Sequence, residues 1–451
     1  MIHKYTMNGY FIVLDVNSGA VHAVDKLCFD ILDYYKTCHV DEIAARLPQY
    51  TAADIQEATD ELCALEQAGL LFSPALSQNI LQKAQAQAPV VKALCLHVAH
   101  DCNLTCRYCF AEEGEYRGQR ALMDIGVGQK AIDFLIRHAG ERRHLEVDFF
   151  GGEPLMNLDV VKAVTAYGRK QEKKYGKRFR FTLTTNGLLL NDDASAFINA
   201  EMENVVLSLD GRKAVNDQMR RKAGGQGSYD DIVPKLQKLV ANRHGKSYYV
   251  RGTFTRENLD FGKDALHLAD LGFRYISVEP VVGDALAHYT LRETDLPAIF
   301  QAYEQLAVDM LARQGTDDAF DFFHFMIDLT GGPCVIKRLS GCGAGTSYMA
   351  VTPEGDLYPC HQFVGHDAFK MGDVDNGIVN QEKWREFQSC GLFANEDCAA
   401  CWAKYYCGGG CAANAFHMNG ELRRPYALGC EMQRKRTECA IMIKVAQDIG
   451  C

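Results

Sequence analysis

The chain has 451 residues, enough for two or three domains, and its 47% hydrophobic content is that of a globular protein able to bury a sizeable core. A formal net charge of −10 argues against non-specific binding to nucleic acid or to a membrane surface. The start, MIHKYTMNGYFIVLDV, is polar and alternating, and no apolar stretch reaches about 18 residues, so neither a signal peptide nor a spanning helix is expected.

Residues 1–75 read as a small α/β module. Segments 10–14 and 20–24 are β-rich and flank a turn at Asn17-Ser18-Gly19. Helices are expected at 26–37 and 40–47. A third helix has Thr51 as N-cap with Asp54 three residues on, Ile55, Leu62 and Leu65 as its apolar face, and Gly69 as its stop. Residues 76–91 are Ala/Gln-rich and read as a linker. From there strands are expected at 93–99, 144–150, 179–185, 204–209, 247–255 and 274–280, alternating with helices at 124–139, 157–174, 228–243 and 257–271. Six βα units imply a parallel sheet with its ligands at the C-terminal strand ends. Beyond about 330 the regularity gives way to Gly and Cys, which suggests a metal-stapled domain with short loops in place of a large core.

The 18 cysteines are the outlier. A long chain with a full apolar core and no secretion signal points to a reducing, cytoplasmic compartment, where clustered cysteines ligate metal or do redox chemistry. Cys102, Cys106 and Cys109 are spaced C-x3-C-x2-C directly after the first barrel strand. Three thiolates can hold three irons of a cubane and leave the fourth open, although thiolates suit zinc as well. Farther on, Cys342 is followed by twelve residues, Gly355, four more and Cys360; Cys398-x2-Cys401-x5-Cys407-x3-Cys411 precedes Cys430. A zinc ribbon is the competing reading of the C-x2-C pair.

The C-x3-C-x2-C spacing, with Tyr108 inside it, resembles the signature of the radical S-adenosylmethionine (SAM) superfamily, and the downstream cysteines resemble its SPASM extension. The resemblance implies an α/β fold: a partial (β/α)6 TIM-like barrel at 92–320, a winged-helix-like peptide-recognition domain at 1–75 and a Cys-rich SPASM domain at 321–451. It implies SAM and three [4Fe–4S] clusters as cofactors. One cluster sits on Cys102, Cys106 and Cys109. An outer auxiliary cluster takes Cys398, Cys401, Cys407 and Cys430. An inner one takes Cys342, Cys360 and Cys411, with Cys334 or a substrate thiolate completing it. Gly151-Gly152-Glu153 resembles the motif that binds the SAM amino group. Ser208 and Asp210 are candidates for the ribose or carboxylate, Arg220 or Arg221 and Arg251 for the methionine carboxylate, and Tyr108 for the adenine. Backbone contacts from Val278 to Val282 follow the same pattern. Cys390, Cys439 and Cys451 fall outside it.

Within the superfamily the chain is most similar to the maturases of "six cysteines in forty-five" (SCIFF) peptides, the CteB type. These join a cysteine sulfur to the α-carbon of an acceptor residue, forming a sactionine thioether through a 5′-deoxyadenosyl radical. The implied partners are a Cys-rich precursor peptide, its leader bound at the N-terminal domain, and an external electron donor, flavodoxin or ferredoxin; no nucleic acid and no membrane. The helix at 51–68 carries no Lys or Arg, which suits a peptide and not phosphates. Formylglycine formation, as in anaerobic sulfatase maturation, and C–C crosslinking are the alternatives. Sulfatase maturases carry an Asp where this chain has His361, and they lack the N-terminal module.

Overall fold

The computed structural model describes residues 1–75, 90–329, 339 and 341–450. Most of the expected linker, Cys334 and Cys451 therefore lie outside the described residues.

The N-terminal module is an antiparallel sheet of β1 (Ile2–Met7), β2 (Tyr10–Asp15) and β3 (Val21–Val24), in that order, followed by helices Lys26–Ile31, Val40–Arg46 and Ala52–Gln67. The first strand was not expected. Its hairpin with β2 pairs Met7 with Tyr10 across Asn8-Gly9, both at positive φ (49° and 81°), the backbone a two-residue type I′ turn requires and the reason for glycine there. The helix expected at 26–37 stops at Ile31. Thr51 caps the third helix as expected: its hydroxyl accepts from Asp54 N at 3.2 Å and Asp54 accepts from Thr51 N at 3.3 Å. Alternation makes β2 two-faced. Val13 packs with Ile31, Ile43, Ile55 and Leu62 of the module, whereas Ile12 and Leu14 join the main core of the chain.

The six expected barrel strands are all present: β4 (Ala93–His100), β7 (His144–Gly151), β8 (Arg178–Thr185), β9 (Asn204–Ser208), β11 (Ser247–Phe254) and β12 (Tyr275–Pro280), parallel throughout. Short strands β5 (Leu104–Cys106), β6 (Ala121–Leu122) and β10 (Arg220–Lys222) sit among them. Helices Ile125–His138, Leu158–Tyr175, Tyr229–Ala241 and Phe261–Asp270 match expectation; Asp192–Glu201, capped by Asn191 on Ala194 N at 2.9 Å, is additional. Leu94, Leu96 and Val98 of β4 pack under the helices in the main core. Residues of the opposite parity line the lumen towards the strand ends and are mostly polar: Thr184, Ser208, Arg251, Thr253 and Glu279, with Phe150 beside them. A lumen of this composition is built to hold a ligand, not to close as a packed core.

The cysteine-rich region departs from expectation most. Strand β13 (Asp321–Phe322) adds in parallel to β12, and β14 (Tyr348–Val351) adds in parallel to β4 at the other edge, followed by antiparallel β15 (Asp356–Tyr358), β16 (Gly372–Asp373) and β17 (Gly377–Ile378). The barrel sheet thus runs on into this region. It ends in a 23-residue helix, Ala427–Ile449, in which Cys439, Ile441 and Met442 are fully buried. Strands of two to four residues carry too few positions for an alternation signal, so the sequence could not declare them.

Thr51→Ala removes one N-cap acceptor and should cost the third helix about 1 kcal/mol. Amide hydrogen exchange in its first turn should quicken about fivefold, while exchange in β4 stays as in the wild type.

Candidate functional site

The chain leaves β4 at His100 and turns back as β5, whose antiparallel partner β10 sets Cys106 opposite Arg220. Arg107 N donates to Met219 O at 3.0 Å and Cys109 N to Cys106 O at 3.1 Å, so the loop is held by backbone on both sides. Cys102, Cys106 and Cys109 are free thiols, and all three line a cavity of about 500 Å³. Burial, with the neighbouring cysteines of the trio adding to it, pushes the Cys102 and Cys106 thiols up to about 12. Buried thiols that repel one another's ionisation are a donor set in want of a cation. Among the described residues no group of three or more His, Cys, Asp or Glu side chains is set for a single metal ion. The trio faces a volume, and the chemistry of that donor set fits an iron–sulfur cube with one open corner.

Asp210 is not in the cavity wall where the sequence analysis expected it. It is fully buried behind it, accepting from Tyr108 OH at 2.7 and 2.8 Å, from Arg220 Nε at 3.0 Å and from Thr253 N at 2.9 Å. The Arg220 guanidinium lies 5.6 Å from the Tyr108 ring centroid. Asp210 is thus an anchor for the cysteine loop, set behind the cavity wall and not in it. Tyr108 and Arg220 do line the cavity, as do Ser208 and Arg251. Among the described residues Arg251 has no hydrogen-bond or ion-pair partner within the chain, which leaves its guanidinium fork open to an incoming carboxylate. Val281 and Val282 line the cavity; Val278 is buried away from it.

The end of β7 passes so close to the cysteine loop that only glycine fits. A Cβ on Gly151 would stand 2.2 Å from Ala99 O, and one on Gly152 would stand 2.2 Å from Asp101 O. Glu153 follows, fully buried, with Oε1 accepting from Leu155 N at 3.0 Å and Thr185 Oγ1 at 2.8 Å, and Oε2 from Asn186 N at 2.8 Å. Burial pushes its carboxyl up to about 7 against those donors. Asn186 also donates to Asn103 Oδ1 at 2.8 Å, tying the third strand end to the cysteine loop.

The far wall of the same cavity contains Cys407, Cys411 and Cys430. The C-terminal thiols fall into two electrostatic neighbourhoods. Burial and then Cys411 and Cys342 raise Cys360, and Cys342 raises Cys411. Separately, burial followed by Cys407, Cys398 and Cys401 acts on Cys430, whose thiol is pushed up to about 12, and the Cys398 thiol reaches about 11 beside Cys407 and Cys401. The resemblance implies the same division, into an inner and an outer group. His361 opens on the cavity between Phe110 and Phe150 (ring centroids 5.6 and 5.1 Å away), with Tyr348 OH 3.4 Å from Nδ1. Burial, with Arg251 nearby, lowers it to about 4, so it is a neutral imidazole.

Residues absent from the sequence reading complete the wall: Glu279 on β12, Gln433 and Arg436 on the C-terminal helix, and His324 behind them. No motif marks them, because they come from segments brought together only by the fold.

Asp210→Ala would strand a buried guanidinium, a loss of about 3–5 kcal/mol; the purified variant should retain less iron and melt earlier than wild type. Glu153 titrates in the opposite sense to an ion-paired carboxylate. Its folded value lies above the ordinary one, so its contribution is intact below about pH 4.5 and is lost as pH rises through about 7. In metal-free protein the difference in stability between Glu153→Gln and wild type should shift towards the variant by up to about 3 kcal/mol across that window. Parallel stability–pH curves would contradict this origin.

Residues 96–264 match the Radical SAM superfamily, and residues 342–402 match the SPASM iron–sulfur cluster-binding domain. The mycofactocin maturase MftC of Mycolicibacterium smegmatis is 30% identical over 360 residues, covering 74% of this chain and 81% of that protein. The structure of anSMEcpe with bound AdoMet superposes with a TM-score of 0.65 at 18% identity, over 79% of this chain and 99% of that one. Streptococcus suis SuiB bound to its precursor peptide SuiA gives a TM-score of 0.54 at 16% identity, over 94% and 97%. With the cysteine loop, the glycine turn and Cys407, Cys411 and Cys430 lining one cavity, the chain belongs to the radical SAM superfamily, in the branch of maturases that carry a SPASM iron–sulfur domain.

Proposed function

We propose that the chain forms thioether crosslinks between cysteine sulfurs and α-carbons of a ribosomally made, Cys-rich precursor peptide. The observation that carries this reading is the single cavity with Cys102, Cys106 and Cys109 on one wall and Cys407, Cys411 and Cys430 on the other. A peptide held there has a radical source on one side and thiophilic metal on the other.

In this reading Cys102, Cys106 and Cys109 hold the SAM-binding cluster, Cys342, Cys360 and Cys411 the inner auxiliary cluster, and Cys398, Cys401, Cys407 and Cys430 the outer one. When bound, SAM and its cluster supply the 5′-deoxyadenosyl radical that takes hydrogen from the acceptor α-carbon. The chain's residues do the rest. Arg251 and Ser208 meet the polar groups of SAM, while Gly151, Gly152 and Glu153 form the turn that receives its amino end. Phe110 and Phe150 exclude water beside His361, a neutral acceptor suited to a substrate hydrogen bond. The inner group offers three thiols on the described residues, and the substrate's own sulfur is a natural fourth.

The N-terminal module supports a leader-bound substrate. Its β1 edge is docked on the C-terminal helix: His3 meets Glu438 at 3.0 Å, Tyr5 OH donates to Glu438 O at 2.8 Å, and the His3 ring stacks on Trp402 at 3.7 Å. That leaves β3 as the edge for strand addition by a leader. The acidic helix Ala52–Gln67 beside it carries no Lys or Arg, so nucleic acid is not a partner in this reading. No helix among the described residues is long and apolar enough to cross a membrane. A cytoplasmic setting, with flavodoxin or ferredoxin as electron donor, is part of the proposal. Formylglycine formation is less favoured, since the position after Cys360 holds His361.

Reconstituted enzyme should contain about twelve irons per chain. Given reductant, SAM and a six-cysteine precursor with its leader, it should remove two hydrogens per crosslink and protect one thiol from alkylation. A product with all its thiols still alkylatable would rule out thioether formation. Replacing Cys102, Cys106 and Cys109 with Ala should abolish SAM cleavage while leader binding persists.

A further inference from the structure

The strand β12 presents Glu279 to the cavity, in register with Thr253 of β11, so it stands at the level where the cysteine-loop half meets the far wall. Its carboxylate is braced from behind. Ser277 Oγ donates to Oε1 at 2.9 Å, and His324 Nε2 lies 3.2 Å from Oε2. His324 Nδ1 is in turn 2.9 Å from an N–H of Arg436 on the C-terminal helix. A guanidinium can only donate, so Nδ1 must accept, and the proton of a neutral His324 is left on Nε2, the nitrogen on the Glu279 side, although it makes no aligned hydrogen bond there. Arg436 is buried and the His324 side chain is 9% exposed, so the contact between them is largely shielded from water. Burial works against the charge on Glu279, but His324, Arg251 and Arg436 outweigh it and keep the carboxyl ionised.

The result is an acceptor held by Ser277 and flanked by His324, with lone pairs on both oxygens left for the cavity. An anion would be repelled by it, and a cation would meet the positive charges of Arg251 and Arg436, which already act on it. A thiol placed here would be hindered, because a neighbouring carboxylate raises a thiol's pKa and opposes the thiolate. A neutral hydrogen-bond donor is what remains, and an extended peptide offers one at every residue, its backbone N–H.

We propose that Glu279 seats the acceptor segment of the peptide by accepting the backbone N–H beside the α-carbon that loses hydrogen, with His324 and Arg436 as the residues that position it. This rests on the thioether-forming reading, and it assigns the two reacting parts of the peptide to different walls: the acceptor to β12, the cysteine to the far thiol groups.

The test uses full-length reconstituted enzyme, dithionite, SAM and a synthetic six-cysteine peptide with its leader, counting 5′-deoxyadenosine against crosslinked peptide by mass spectrometry. Glu279→Gln loses the charge on the acceptor, so the peptide KM should rise about tenfold. The radical would then form with the α-carbon misplaced, and the ratio of 5′-deoxyadenosine to crosslink should rise at least about fivefold. Glu279→Asp should recover part of the coupling, and His324→Gln should raise the ratio less than Glu279→Gln. Should Glu279→Gln fail to take up iron, His324→Gln carries the test by the same ratio. SAM affinity, measured by calorimetry, distinguishes a peptide contact from a cofactor contact. A wild-type ratio in Glu279→Gln, or SAM affinity falling in step with crosslinking, would overturn the proposal. Wild-type enzyme that cleaves SAM and leaves the peptide unchanged overturns the thioether reading, and this one with it.

Discussion

The parallel pairing of β14 with β4, Tyr348 beside Ala93 through Val351 beside Leu96, is the constraint on which the rest of the molecule depends. Strand β4 leads directly into the first cysteine loop, and β14–β15 lead directly into Cys360 and His361. Hydrogen-bonding the two strands in one register therefore sets the two metal-type regions at a fixed separation, with the polar lumen between them. A domain joined only by a linker would leave that distance free. Here it is set by the same backbone ladder that makes the barrel, and a one-residue slip would turn Cys95, Tyr348 and their neighbours to the wrong face.

Electrostatics then explains why the walls look as they do. Burial and then neighbouring thiols raise Cys102, Cys106, Cys360 and Cys430. Left alone they stay protonated; with iron they ionise and become ligands. The carboxylates are treated in the opposite way. Asp210 is surrounded by donors and turned inward, Glu279 is braced by His324 and Arg436, and Glu153 is held by three donors yet kept near neutral pH by burial. The cavity thus receives its negative charge from sulfur when metal is present, while the carboxylates act as organisers of the walls.

Much of this was legible in the sequence, and the parts that were not share a cause. The six barrel strands are β-rich runs long enough for a pattern to show, and the cysteine spacings carried the family resemblance that implied two C-terminal thiol groups. The β1 hairpin had its signal in Asn8-Gly9, a dipeptide that demands a two-residue turn, but a polar first strand hid it. The anchoring of Asp210 was not legible because it depends on β10 pairing with β5, a contact more than a hundred residues distant that brings Arg220 and Tyr108 to it. Glu279, His324 and Arg436 lie on three separate segments, and nothing local distinguishes any of them from ordinary polar residues. Local chemistry is written in local spacing; a buried polar network is written only in tertiary contacts.

The C-terminal helix draws these threads together. Within two and a half turns it carries Cys430 of the outer thiol group, Gln433 and Arg436 of the cavity wall, and Glu438, which takes His3 and Tyr5 of the N-terminal module. Positions 430, 433 and 436 follow the i, i+3 spacing that puts side chains on one face, so a thiol and the cavity groups share a single stripe. Glu438, two positions past Arg436, is turned about 200° from it and reaches the other side, where β1 docks. An α-helix packed on both sides moves as a rigid body, so a strain on β1 is delivered to Arg436 and Cys430 together. The module that would bind the leader and the wall that would hold the core peptide are therefore attached to opposite faces of one rod, which is the simplest mechanical reason for the N-terminal sheet to dock where it does.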